Sequence, residues 1–82
     1  MSRTKTLRSP AQVQLQKLLK EARVQAGLSQ LMVAHGMGWR QADISKVEAG
    51  ERRLDVVEFV RMARVIGFDP VNTIKSVDKA LD

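Results

Sequence analysis

The chain contains no cysteine and no tyrosine, and its aromatic residues are Trp39, Phe59 and Phe68. The absence of cysteine excludes disulfides, thiolate zinc sites and cysteine nucleophiles. No apolar run approaches the roughly 20 residues that a membrane-spanning helix needs. No apolar segment follows the basic N-terminus, as a secretory signal would require. We therefore expect a cytoplasmic protein with an aliphatic core.

The length of the chain and the distribution of its charges indicate how many domains it has and where a tail lies. The 82 residues suffice for one small domain. Residues 1–24 carry six basic side chains against Glu21, whereas residues 25–82 carry eight of each sign. We predict a basic flexible tail over residues 1–8 and one domain over residues 9–82. Such a basic footprint suits a polyphosphate partner, but a solvated tail would have the same composition.

Capping signals and apolar spacing predict five short helices and no strand. Ser9 and Pro10 start the first helix, which ends near Ala26. The others are expected at residues 30–37, 41–49, 56–66 and about 71–80. Helix 4 is apolar on most sides, so we expect it to be the central, most buried helix. The prediction is a compact all-α bundle with short loops.

Helices 2 and 3 have the layout of a helix-turn-helix, in which the second helix lies in the DNA major groove. Gly38 permits the sharp turn between them. In helix 3, Ile44 and Val47 point inward, so helical geometry turns a face of small and polar side chains outward. The members of that face are Gln41, Ala42, Ser45 and Lys46.

The joint spacing of several segments resembles the lambda-repressor-like (Cro/Xre) family of bacterial and phage DNA-binding domains, over about residues 15–70. The segments are residues 26–30, 33–34, 37–39, 44–48, 50 and 63–67. The run at residues 50–59 is especially similar to small stand-alone bacterial regulators of this family. The resemblance implies a five-helix domain with the helix-turn-helix at helices 2 and 3. It also implies double-stranded DNA as partner, without a cofactor or metal.

The resemblance assigns base reading to the outward face of helix 3. Gln41 would pair with adenine, Lys46 would donate to guanine and Ala42 would contact a thymine methyl group, with Ser45 beside them. Phosphate-contacting positions would lie around both helix starts and beyond helix 3. They are Ser29, Gln30, Arg40, Asp43, Arg52 and Arg53.

The sequence departs from the family pattern at several of these positions. Arg40 replaces the usual Ser or Thr cap, which removes a capping hydrogen bond but places a cation near the DNA backbone. Asp43 either bonds a free N–H, repels a phosphate or accepts from cytosine. Trp39 is a core lid or a stacking contact. Gly36 costs helix 2 roughly 1 kcal/mol relative to alanine. A further departure is the apolar pair Leu31 and Met32 at positions expected to be exposed.

Two further family features concern assembly and support. Arg23 and Glu48 match a salt bridge that would fix the angle of helix 3, although a surface pair is worth only about 0–1 kcal/mol. The apolar stripe of helix 5 either forms a homodimer contact or closes the protein's own core. Its members are Val71, Ile74, Val77 and Leu81. A dimer would place two reading helices about 34 Å apart on a near-palindromic operator.

Nothing in the sequence indicates an enzyme. His35 is the only histidine, so neither a metal site nor a Ser-His-Asp arrangement can be assembled around it. We predict a DNA-binding transcriptional regulator, a repressor, acting at the nucleoid. The alternative is a protein-interaction module, such as an antitoxin or adaptor, that uses Leu31, Met32 and the helix 5 stripe. For the DNA-binding regulator, we expect Arg3, Lys5 and Arg8 of the tail to add a minor-groove or non-specific contact.

Overall fold

A computed structural model describes residues 9–81. This part of the chain folds into five helices and no strand: α1 (Pro10–Gln25), α2 (Gln30–Met37), α3 (Gln41–Ala49), α4 (Val56–Ile66) and α5 (Pro70–Lys79). The predicted all-α architecture is thereby confirmed. The basic tail at residues 1–8, with the contacts predicted for it, lies outside the described residues. No helix among the described residues is long and apolar enough to cross a membrane.

Local capping chemistry sets the helix ends. Ser29 Oγ accepts the Met32 N–H at 3.0 Å, and Asp55 and Glu58 exchange side-chain and backbone hydrogen bonds in a capping box. At the start of α5, Asp69 accepts the Val71 N–H. These bonds satisfy N–H groups that a helix leaves free at its first turn. The predicted boundaries were therefore correct to within about one residue.

The core lies between α2, α3 and α4, with α1 across them. Its buried members come from all four of these helices, and Val33 and Ile44 are fully enclosed. Phe59 and Phe68 pack with their ring centroids 5.9 Å apart. Helix α3 packs mainly against α2 and α1, whereas α5 packs mainly against α1. Helix α3 is thus supported by α2 and α1, and its remaining face is uncovered.

Two details of burial differ from what the apolar pattern of the helices predicts. The three- and four-residue spacing of apolar residues in α1 predicts that Val13 is buried, but its side chain is half exposed and Ala11 is buried instead. Helix α4 is apolar but one-sided: Phe59, Met62, Ala63 and Ile66 are buried, whereas Val56 and Val57 are 78% and 68% exposed. Within residues 9–81, the apolar side chains at the first turn of α4 are therefore left largely uncovered.

Candidate nucleic-acid interface

The turn between α2 and α3 is built by Gly38 and Trp39. Gly38 adopts a left-handed conformation with φ of 73°, which side chains with a Cβ atom rarely adopt. The Trp39 N–H donates to the Ala34 carbonyl at 2.8 Å and closes the end of α2. The Trp39 side chain packs against the core from its edge. This fixes how the chain enters α3.

Helix α3 separates its side chains cleanly into two faces. Ile44 and Val47 are buried in the core. The four predicted base-reading side chains are all exposed, and their spacing places them in two adjacent rows along the helix. These are Gln41, Ala42, Ser45 and Lys46. The face combines amide, methyl, hydroxyl and ammonium groups, which together can donate to, accept from and touch base edges.

The start of α3 is capped by Asp43. Its Oδ2 accepts the Arg40 backbone N–H at 3.1 Å, and its Oδ1 lies 3.6 Å from the exposed Arg40 guanidinium. The backbone hydrogen bond from Arg40 lowers the pKa of Asp43, with a smaller Coulombic contribution from Arg40. Asp43 thus accepts the N–H of the N-cap residue Arg40 itself, and its carboxylate is engaged at the start of its own helix. Arg40 remains available at the surface.

The start of α2 carries the next two predicted phosphate contacts. Ser29 is exposed and its hydroxyl oxygen accepts the Met32 N–H. Gln30 is half-buried, and its Nε2 donates to Glu48 Oε1 at 3.0 Å. The amide that we assigned to phosphate is thus already bonded to a carboxylate of α3. Gln30 links the start of α2 to α3.

Arg23 and Glu48 form the predicted ion pair between α1 and α3. Arg23 Nε and Nη2 donate to the two carboxylate oxygens at 2.6 and 3.0 Å, and Nη1 donates to the Leu28 carbonyl at 2.9 Å. The two side chains are only 12% and 8% exposed. The hydrogen bond to Glu48 raises the pKa of Arg23. A bidentate pair of this kind holds two helices in one orientation.

Arg52 and Arg53 follow α3 but lie in different environments. Arg52 Nη2 donates to Glu58 Oε2 at 3.0 Å, and its guanidinium carbon lies 4.0 Å from the centre of the Trp39 ring. Arg53 is exposed and takes part in none of the ion pairs found among residues 9–81. A phosphate contact was predicted for both arginines. In the structure Arg52 packs along the protein, whereas Arg53 lies at the surface.

Helix α5 presents its apolar stripe largely to solvent. Val71, Ile74 and Leu81 are more than half exposed, and no residue of α5 is fully buried. Ile74 and Val77 line a shallow apolar depression together with Leu15, Leu54, Val56 and Phe59. The exposed Val56 and Val57 of α4 extend the same type of surface. Sequence reasoning missed those two valines because it placed α4 at the centre of the fold.

A second apolar surface lies on α2. Leu31 and Met32 are 61% and 54% exposed, and they border a groove of about 660 Å³ that reaches Val65 of α4. Gly36 lies at its floor, where an added Cβ would be 2.7 Å from Val65 Cγ1. The glycine therefore permits close approach of α2 and α4, a reason that its position in one helix could not reveal.

A second contact between α4 and the turn also escaped sequence reasoning. Arg61 Nη2 donates to the Met37 carbonyl at 2.9 Å, just before the turn. Across the described range, no cluster of three or more His, Asp or Glu side chains is placed to hold a metal ion.

Comparison with known proteins agrees with this geometry. A family model described as helix-turn-helix matches residues 19–71. The chain is also similar to a solved structure described as an XRE-family like protein from Pseudomonas syringae pv. tomato str. DC3000, with a TM-score of 0.83 and 39% identity. That alignment covers 96% of each chain. A comparison with curated proteins gave no match.

Proposed function

Because the chain belongs to the Cro/Xre-type helix-turn-helix family of DNA-binding regulators, we propose that it is a sequence-specific transcriptional repressor. In this proposal α3 lies in the major groove of double-stranded DNA. The observation that carries it is the exposed face of Gln41, Ala42, Ser45 and Lys46 on a helix whose other side is buried. Such a regulator acts on the chromosome, so we place it in the cytoplasm at the nucleoid.

The proposed phosphate contacts flank this face. Arg40 precedes α3 and Arg53 follows it, and both side chains are exposed. Ser29 and Gln30 present the N-terminus of α2, where free N–H groups and the helix dipole favour an anion. Asp43 contributes indirectly, since its carboxylate holds the Arg40 backbone in place. Cations on both sides of the reading face would set its register on the duplex.

We further propose that the protein binds as a homodimer through α5. The support is the exposure of Val71, Ile74 and Leu81, which the helices of the described residues leave more than half uncovered. Val77, half-buried beside Ile74, would lie at the centre of this contact. A twofold axis there would present two copies of α3 to a near-palindromic operator with half-sites about 34 Å apart.

Selection from randomised duplex DNA, followed by binding measurements over a range of salt concentrations, tests the DNA proposal. We expect enrichment of a near-palindromic sequence. The logarithm of the association constant should fall linearly with the logarithm of salt, by about 0.9 per phosphate neutralised. Failure to enrich any sequence, together with binding that ignores salt, would refute the proposal.

Sedimentation of Ile74→Lys beside the parent protein tests the dimer. We expect the parent to sediment as a dimer and the variant as a monomer that still folds, because Ile74 is more than half exposed in the single chain. Lys75→Ala, a change at an exposed neighbour on the same helix, serves as the matched control and should remain dimeric. A parent that is monomeric at every concentration would contradict the proposed assembly.

The groove beside Leu31 and Met32 favours a second candidate function, that of an antitoxin or adaptor holding a protein partner. Its lining is almost wholly apolar, and such surfaces on small proteins are often binding sites. The two functions are compatible, since the groove lies on α2 and the reading face on α3. A purely protein-binding module would show no salt-dependent affinity for DNA, which the titration above measures.

A further inference from the structure

Three side chains around α3 form one connected group, which we call the Trp39–Arg52–Glu58 clamp. The Arg52 guanidinium lies over the Trp39 ring at 4.0 Å, and its Nη2 donates to Glu58 Oε2 at 3.0 Å. The other Glu58 oxygen accepts the Asp55 backbone N–H at 3.0 Å, so the carboxylate is fixed at the start of α4. The clamp therefore has one rigid end in α4 and the other in the turn.

The clamp spans the reading helix. Trp39 comes two residues before Gln41, where α3 begins, whereas Arg52 comes three residues after Ala49, where α3 ends. The backbone after α3 is also tied down, because the N–H groups of Glu51 and Arg52 donate to the Lys46 carbonyl. One side-chain contact thus joins the chain before α3 to the chain after it. Since α3 packs mainly on α2 and α1, the clamp adds a link to α4.

Arg52 is poorly placed to serve as a phosphate ligand. Its Nη1 is covered and has no hydrogen-bond partner among the described residues. A covered guanidinium nitrogen is tolerated where the group rests on an aromatic ring, since the ring face attracts the cation. Leaving this arrangement for a phosphate would break both the stack and the Glu58 ion pair. Arg53, next along the chain, is exposed and unencumbered by any ion pair of the described region.

We propose that Arg52 is a positioning residue that sets the placement of α3 through Trp39 and Glu58, and that Arg53 makes the phosphate contact at this end of the helix. The inference rests on the proposed DNA-binding function. Arg52 also adds a Coulombic contribution that lowers the pKa of Asp43, which agrees with its lying close to the start of α3.

Substitutions that separate charge from shape test the assignment. Arg52→Lys keeps the charge but loses the planar guanidinium, which stacks on the Trp39 ring and donates to Glu58. We expect it to weaken binding to the selected operator about tenfold, with much less effect on unrelated duplex DNA and an unchanged salt slope. Arg53→Gln should weaken binding to both DNAs and reduce the slope by about 0.9. Arg64→Lys, an exposed arginine of α4 outside both groups, is the matched control and should leave all three quantities unchanged.

Two results would overturn the proposal. In the first, Arg52→Lys binds both DNAs like the parent, while Arg52→Gln lowers the salt slope by about 0.9, the value for one phosphate. Arg52 would then be a phosphate ligand. If neither change alters binding, the clamp does not position α3. All measurements are made below the melting temperature of each variant. Trp39→Phe keeps a smaller ring face, so its operator affinity should lie between those of the parent and Arg52→Lys.

A double-mutant cycle tests the clamp even if no operator is found. The urea midpoints of Trp39→Leu, Arg52→Lys and the double variant are compared with that of the parent. We expect the urea midpoint of the double variant to fall clearly less than the sum of the two single-variant decreases, because either change alone already breaks the stack. Additive losses would overturn the clamp. Absence of an enriched DNA sequence would instead refute the proposed function, so the two failures are distinguishable.

Discussion

Glu48→Ala is expected to lower the free energy of unfolding by about 3 kcal/mol. The change removes two hydrogen bonds from Arg23 and one from Gln30, and it leaves a guanidinium that is only 12% exposed without its counter-ion. Removing one partner of a buried pair costs about 3–5 kcal/mol. The lower end applies here because Arg23 keeps its bond to the Leu28 carbonyl. For a chain of 82 residues, total stability is about 4–12 kcal/mol.

Urea unfolding followed by the fluorescence of Trp39, the single tryptophan, measures this loss. With a denaturant slope of about 1 kcal/mol per molar, the midpoint should fall by about 3 M. Glu51→Ala, at an exposed glutamate just beyond α3, is the control and should change stability by less than about 0.5 kcal/mol. A loss below about 1 kcal/mol for Glu48→Ala would show an ordinary surface pair and refute the reasoning.

Other substitutions probe local features. Gly36→Ala should lower stability in urea, because its Cβ would lie 2.7 Å from Val65 Cγ1. In a Val65→Ala background the same change should instead raise stability by up to about 1 kcal/mol, and a loss there would contradict the steric account. Ser29→Ala should cost about 1 kcal/mol in thermal melts through its lost cap, and an unchanged melt would contradict that role. Asp43→Asn should lower stability at neutral pH. Because the folded-state pKa of Asp43 is lowered, its stabilisation is present above the unfolded value of about 3.9 and is lost as pH falls through the folded value. The gap between Asp43→Asn and the parent should therefore close in acid, and a gap independent of pH would contradict this origin.

The helices could be predicted from sequence because their ends are decided by neighbours in the chain. Ser29, Asp55 and Asp69 each accept an N–H from a residue two or three positions ahead. The helix starts that they cap can therefore be predicted from the sequence alone. The exposed and buried faces of α3 follow from helical spacing in the same way. The fold class and the exposure of one face of α3 could be predicted for this reason.

What could not be predicted depends on residues far apart in the chain. The role of Gly36 depends on Val65, and that of Arg52 on Trp39 and Glu58. A helical pattern also shows which side chains are apolar without showing which of them meet another helix. For that reason α4, which is apolar on most sides, was expected to be the central, most buried helix, although the side chains of its first turn, including Val56, are exposed.

The central claim is that the exposed face of α3 reads DNA sequence. The direct test compares the parent with a Gln41→Ala, Lys46→Ala double variant, using the selected operator and a scrambled duplex in competition. Each side chain is exposed, so the variant should melt at close to the parent's temperature. We predict that its preference for the operator falls at least about 30-fold while non-specific binding changes little, since each base contact is worth about 1–3 kcal/mol. Undiminished preference for the operator would show that another part of the protein reads the sequence.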